Sequence, residues 1–418
     1  MKRLCWVCCL LLTFAGCVSQ PPAVHLTGNI MVDGPMMITN GPPQDKVLWQ
    51  YRTAAAAMRL GQYQMAKELL DDALLTAGGI STDRSAKMAR SYFHPESAKT
   101  FIGEPYERVM AYYYRGILYW MDGEPDNARA CFRSAAIQDA DVENHQYAAD
   151  YALLDYLDGL ATMKLAGDGS DAFQRAEKEA RQYKPPPYDP SANVLFFLEF
   201  DPGPFKYATG RYQEELRFGV PRGPVHFAEV EVDGQKIRVG PYDDLYFQAT
   251  TRGGRVMDHI LANKAVFKTS TDVAGTAAIV GGAIAANQNN RTSQQVGLGL
   301  IAAGVISKIF SATTRPAADT RTWGDLPRYL SCASLSLPPG AHTARVEFLD
   351  QSGNVMPNFT GQVSEEQLTQ LIAFIKAISP PPGGDQPSST GSRQPSERTN
   401  GIGEPGSSSI TGSRPGVR

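Results

Sequence analysis

The sequence predicts an α+β chain. Antiparallel helical repeats occupy residues 45–190, and a β-rich domain at 191–360 carries an inserted glycine-rich helical hairpin at 272–310. Three observations carry this reading. Small and aromatic residues recur at a fixed spacing between Ala54 and Ala176, as in stacked helix pairs. The hydrophobic period changes from helical to extended after Pro185-Pro186-Pro187. Two short apolar runs rich in Gly and Ala flank a polar stretch at 287–295. A length of 418 residues accommodates two domains with a substantial core. The net charge of −3, with no long basic block, argues against nucleic acid as a partner.

The first seventeen residues read as a bacterial secretory signal. Met1-Lys2-Arg3 is positive, Leu4–Phe14 is apolar, and Ala15-Gly16 are small residues running into Cys17. A cysteine in that place resembles the lipobox, which implies a signal peptide over 1–16 and diacylglycerol on the Cys17 thiol. Val18 in place of Asp favours the outer membrane by the same resemblance. An ordinary secretory signal cut nearby is the alternative. Residues 17–44, rich in Pro, Gly and Met without periodicity, read as a flexible tether. Cys131 and Cys332, the cysteines left for the folded part, each sit in an apolar run and read as buried thiols rather than a metal site or disulfide framework.

Order begins at Asp45, an N-cap before Val47-Leu48-Trp49. Ala54, Gly61, Tyr63, Ala66, Leu70 and Ala73 fall on the small and aromatic positions of a tetratricopeptide (TPR) unit. Gly116, Gly123, Ala128, Phe132 and Ala135 form a second copy. Gly159, Gly167, Ala172 and Ala176 form a degraded third with one residue inserted. A generic antiparallel bundle is the competing reading. Tyr112, Tyr113, Tyr114, Tyr119 and Trp120 are dense enough for an aromatic lining, although most are needed to fill core. Three successive prolines end the helical part and mark a domain boundary.

Beyond it, Asn193–Phe200 is a strand bounded by Asp201-Pro-Gly-Pro204. Asp233-Gly234 between Val225–Val232 and Lys236–Val239 signals a tight hairpin. Leu245–Thr250 reads as a further strand and Arg255–Lys268 as a helix leading into the glycine-rich hairpin. Ser331–Leu337 and Thr343–Leu349 read as strands around Pro338-Pro339-Gly340. In the hairpin, Gly275, Gly281, Gly282, Gly297, Gly299 and Gly304 form a glycine-zipper pattern that lets two helix backbones approach closely. Each run is short for a membrane crossing, so packing in protein and contact with a membrane both stay open. Residues 361–378 read as a C-terminal amphipathic helix capped by Ser364, with Leu368, Leu371, Ile372 and Ile375 on one face. From Ser379 onward Pro, Gly, Ser and Arg dominate, which predicts a disordered tail.

Gly103-Glu-Pro-Tyr-Glu-Arg-Val-Met110, Gly203-Pro-Phe-Lys206, Asp319-Thr-Arg-Thr-Trp323, Leu326-Pro327 and Leu337-Pro-Pro-Gly340 carry a further likeness. On these residues the chain resembles a family of bacterial TPR-containing envelope lipoproteins with no assigned activity, over roughly 45–350. The resemblance implies an envelope protein and supplies no catalytic residues.

Two motifs mislead. Gly297-Leu-Gly-Leu-Ile-Ala302 follows a polar loop where a dinucleotide-binding fingerprint needs a strand. Val355–Lys376 resembles the carboxyl end of a class I cytochrome c domain, with Met356 as the axial ligand, yet the chain has no Cys-x-x-Cys-His for haem attachment. No cofactor, metal or catalytic set is therefore expected. The functional expectation is a non-enzymatic, lipid-anchored scaffold on the periplasmic side of the outer membrane, holding envelope protein partners through its repeats and β domain. The alternative is an envelope enzyme acting on glycan or peptide with acidic residues of the repeat groove.

Overall fold

The computed structural model describes residues 25–78, 95–140, 148–251, 264–280 apart from 267 and 275, 300, 303, 307–308, 311–338 and 342–356, with the backbone of strands at 361–365 and 371–377. Helices and strands are both abundant, as an α+β fold requires. Among the described residues seven α-helices come first: α1 (Ile30–Asn40), α2 (Lys46–Arg59), α3 (Tyr63–Gly78), α4 (Pro105–Met121), α5 (Pro125–Asp139), α6 (Ala152–Lys164) and α7 (Ser170–Glu179). The next elements are β1 (Val194–Pro202), β2 (Phe205–Thr209), β3 (Glu215–Gly219), β4 (Phe227–Val232), β5 (Gln235–Val239), β6 (Asp243–Asp244) and α8 (Leu245–Thr250). Strands β7 (Pro327–Leu335), β8 (His342–Leu349), β9 (Gly361–Glu365) and β10 (Leu371–Ala377) follow.

The helices form three hairpins, α2/α3, α4/α5 and α6/α7, joined by short turns that force antiparallel neighbours. Gly61 and Gly123 make the first two turns with φ of 71° and 76°, left-handed values that suit glycine. In the third, Ala166 takes that conformation at φ 56° one residue before Gly167, which is where the sequence carries its extra residue. The small residues singled out in the sequence are buried in each hairpin: Ala54, Ala66 and Ala73, then Ala128 and Ala135, then Ala172 and Ala176.

Sheet A runs β10-β1-β7-β6 and sheet C runs β5-β4-β8-β9. β1 is the pivot, because its near-continuous apolar run suits burial on both faces. Val194, Phe196, Leu198 and Phe200 pack on sheet C with Val230, Val346 and Phe348. Leu195 and Phe197 face the helices, where Phe197 meets the edge of Tyr113 at 6.1 Å. The fold is thus three layers: helices, sheet A and sheet C. β2 and β3 pair separately as a two-stranded ribbon, sheet B. Asp233 and Gly234, at φ 50° and 82°, form the expected tight turn between β4 and β5.

Four expectations are corrected. The stretch 17–44 is not all tether, because α1 starts at Ile30 with Asn29 as its N-cap, the Asn29 side chain accepting from Met31 N. Asp33 accepts from Thr27 and Gly28, and a side chain at Gly34 would lie 1.9 Å from Thr53 Oγ1. That glycine serves close packing of α1 on α2 rather than flexibility. Leu245–Thr250 is a helix, since Asp244 accepts from Tyr246 N and Phe247 N as an N-cap. The helix expected at 361–378 is replaced by β9 and β10. Leu371–Ala377 pairs parallel with β1 from Val194 to Phe200, and the branched and aromatic residues of that run suit an open sheet edge. Pro185–Pro187 does end the helices, but it separates no independent units. The chain through Pro381 is one compact unit, and a single core cluster joins Tyr51, Tyr113 and Leu157 of the helices to Phe197, Trp323 and Cys332. The tail expected to be disordered lies outside the described residues, as do residues 252–263, which hold most of the helix expected at Arg255–Lys268.

Two equivalent glycines differ in what faces them. A Cβ on Gly116 would meet the Phe132 ring at 2.5 Å, and one on Gly159 would meet the Phe173 ring at 2.6 Å. Phe132 is fully buried beside Trp120, whereas Phe173 is partly exposed and stacks on Tyr188. Alanine returns about 1 kcal/mol of helix propensity at either site, against about 1–3 kcal/mol for overpacking. In urea unfolding, Gly116→Ala is expected to lose stability while Gly159→Ala stays near neutral. Equal effects would mean that the two crossings give way alike.

Candidate functional site

The sequence segments singled out above converge in space. α4 opens at Gly103-Glu104-Pro105 with a capping box, in which Glu107 reaches back to accept from Glu104 N at 2.6 Å. The Glu107 carboxylate also accepts from Lys206 Nζ at 2.6 Å and from Trp323 N at 2.8 Å. Lys206 donates further to Arg321 O at 2.9 Å, and Glu107 and Lys206 are both buried. The Trp323 indole then stacks on Tyr51 at 4.7 Å and lies beside Tyr114. Gly203, just before Lys206, donates its N–H to Leu326 O, and a Cβ there would stand 2.6 Å from Pro327 O. One carboxylate therefore ties α4, β2 and the segment leading into β7.

A second buried carboxylate extends the knot. Glu96 accepts from Lys99 Nζ at 2.7 Å and from Asp319 N at 2.8 Å. Arg321 donates to Asp319, to Asp45 Oδ1 at 2.6 Å and to Lys99 O at 2.9 Å. Burial pushes the Asp319 carboxyl up, but the Arg321 guanidinium outweighs it and leaves the group below the ordinary carboxylate value.

Residues 314–321 connect this knot to a helical arm. Residues 264–266, 268–274 and 276–280 are helical, and 307–308 and 311–313 return beside them. Lys308 Nζ pairs with Asp272 at 2.7 Å, Ser307 Oγ donates to Thr271 O at 2.6 Å, and Lys268 Nζ donates to Ser311 O. Ala265 at the root is buried, while Val266, Val273 and Val280 are 68%, 62% and 54% exposed. Between this helix and the β2–β3 ribbon lies an open groove of about 860 Å³, lined by Tyr212, Leu216, Val266 and Val273 with Arg211, Glu214, Glu215 and Arg217 among its walls.

A third cluster is acidic. Asp243 accepts from Ala152 N at 3.0 Å and Leu153 N at 2.8 Å at the start of α6. Asp150 accepts from Arg181 at 2.7 Å and Gln248 at 2.6 Å, and Asp139 accepts from Asp150 N. A cavity of about 250 Å³ borders Asp243, Arg181 and Gln248. Burial pushes the Asp243 carboxyl up to about 8; the two N–H donors oppose this, and Asp150 and Asp139 add to it.

Cys17 and the glycines at 275, 281, 282, 297, 299 and 304 lie outside the described residues. Of the five aromatic residues considered for a lining, Tyr113, Tyr114 and Trp120 are buried in the core and Tyr112 and Tyr119 are half-buried. The groove and the exposed valines at 266, 273 and 280 are not among the sequence expectations, since valines at helical spacing are ordinarily core. No described helix is long and apolar enough to cross a membrane. No protein-family model, curated protein or solved structure matches the chain.

Two outcomes are expected here. Removing one partner of a buried ion pair costs about 3–5 kcal/mol, so Lys206→Met should destabilise by that amount in chemical unfolding. In a double-mutant cycle Glu107→Gln should recover part of the loss; strict additivity would show that the two side chains are uncoupled. For Asp243, the folded value near 8 stands above 3.8 for the unfolded chain. Its contribution to stability is then full below about pH 4 and is lost as pH rises through about 8. Asp243→Asn should flatten the fall in melting temperature across that window, and an unchanged slope would assign the fall to other groups.

Proposed function

We propose that the chain is a lipid-anchored scaffold of the bacterial cell envelope, held on the periplasmic side of the outer membrane through Cys17, which presents its arm and groove to protein partners. The observation that carries this reading is the arm itself, a helix beside the β2–β3 ribbon whose Val266, Val273 and Val280 are exposed and whose returning segment leads into a root of buried charge. Such a root fixes the direction of the arm, which a binding element needs.

The three helical hairpins, with glycine or alanine at each crossing, fit a TPR array. The helix face that such an array turns toward a partner is occupied here by the chain's own β1 and β7, through Phe197, Leu330 and Cys332. Partner contact accordingly moves from the repeats to the arm and the β2–β3 ribbon. The acidic-groove enzyme is not proposed, because Asp139, Asp150 and Asp243 each accept hydrogen bonds from the fold itself.

The anchor is tested by Cys17→Ser. The variant should leave the outer-membrane fraction and lack the mass of the acyl chains. A variant that still sediments with that membrane, at wild-type mass and processing, overturns the lipid-anchored reading.

A further inference from the structure

His342 opens β8 at an inward-facing position. Along that strand Ala344, Val346 and Phe348 are buried in the core between sheets A and C, and the alternation of a strand places His342 next in the same row. Its ring sits at the rim of that core, with 8% of the side chain exposed. Both ring nitrogens are engaged. Nε2 lies 2.8 Å from Pro338 O, just past the end of β7, and Nδ1 meets the Asp233 carboxylate in the β4–β5 turn.

These two partners decide the charge of the ring. A carbonyl and a carboxylate accept hydrogen bonds and cannot donate them, whereas a neutral imidazole has one donor and one lone pair. Only the imidazolium, with an N–H at each position, satisfies both contacts. The acceptors are placed independently of the ring. Leu337 donates to Asn193 Oδ1 at 2.9 Å and accepts from Asn193 Nδ2 at 2.8 Å, which fixes the carbonyl that follows it. Asp233 is set by the left-handed backbone of its turn, at φ 50°.

We propose that His342 is a proton-operated latch, which joins the end of β7 to the β4–β5 turn while its ring is charged and releases one of the two when the proton leaves. Val232, Leu337 and Ala344, beside the three latch members in sequence, all belong to the core cluster shared by the two sheets. Opening the latch therefore loosens the rim of a core. Neighbouring charges have other partners: Lys236 pairs with Glu229 and Glu231, Arg238 with Glu229, and Arg345 with Glu347. Among the described residues His342 is thus the one cation on Asp233. Glu365, its register partner on β9, has the same sign as Asp233. The Pro338 carbonyl, followed by Asp233, holds the imidazole above its ordinary 6.5 and outweighs the effect of burial. The latch is then complete below 6.5 and opens as pH rises through the higher folded value. It does not depend on the anchor at Cys17.

The test uses the full chain with isotope-labelled histidine. In ring-nitrogen NMR, the His342 signals, identified by their loss in His342→Gln, should titrate with a midpoint above 6.5 and show both nitrogens protonated below it. Asp233→Asn retains a residue that tolerates the left-handed turn, and should lower the midpoint by about half a unit, the scale of an exposed ion pair. Hydrogen exchange over 327–349, corrected for its intrinsic pH dependence, should speed up several-fold in wild type between about pH 6 and 8. In His342→Gln it should be fast throughout. A midpoint at or below 6.5, or one that Asp233→Asn leaves in place, overturns the latch. So does wild-type exchange that stays constant across the window, because the ring would then titrate without releasing anything.

Discussion

The Glu107 carboxylate sits where three distant parts of the chain meet, and each supplies it with an N–H: the α4 cap, Lys206 of β2 and the Trp323 backbone. A buried charge without donors is unfavourable by several kcal/mol, so these segments cannot separate one at a time. Helix layer and sheet are joined by this constraint as much as by apolar packing. The Trp323 ring, placed by the same contact, fills the space between Tyr51 and Tyr114 and completes the core of the helical layer. A hydrophobic substitute could match the volume, but not the directional hold on three backbones.

Much of this architecture was legible in residues. The small positions of the repeats are small because rings and helices press on them, and Gly116 against Phe132 is the clearest case. Asp233-Gly234 specified its turn through backbone conformation alone. The segments around Glu107, Lys206, Asp319 and Trp323 stood out in the sequence, yet their convergence did not, because hydrogen bonds across a hundred residues leave no periodic trace. Errors arose where local preference was overruled. Gly34 and Pro35 read as tether, although Gly34 admits Thr53 against the backbone. Leu371–Ala377 has a helical apolar face, yet it lies beside β1, whose free edge offers seven residues of parallel ladder.

Of the candidate site, the sequence predicts a helical hairpin at 272–310, of which 272–274 and 276–280 are helical and the six glycines lie outside the described residues, while the exposed valines and the groove leave no signal in it. A stripe defined by exposure cannot be recognised until burial is known, since valines at helical spacing are ordinarily core. The β2–β3 ribbon is similar. Its alternating residues predict a strand pair, and only the placement of Tyr212 and Leu216 beside the arm makes it the wall of a groove.

The parallel pairing of β10 with β1 has a consequence for biogenesis. β1 is the central strand of the molecule, and its two neighbours in sheet A come from 327–335 and 371–377. The middle layer therefore cannot close until nearly the whole chain is available, which is the slow, long-range kind of assembly. Until residues 371–377 exist, β1 keeps one edge open along its whole length, and the sheet locks only when they pair with it.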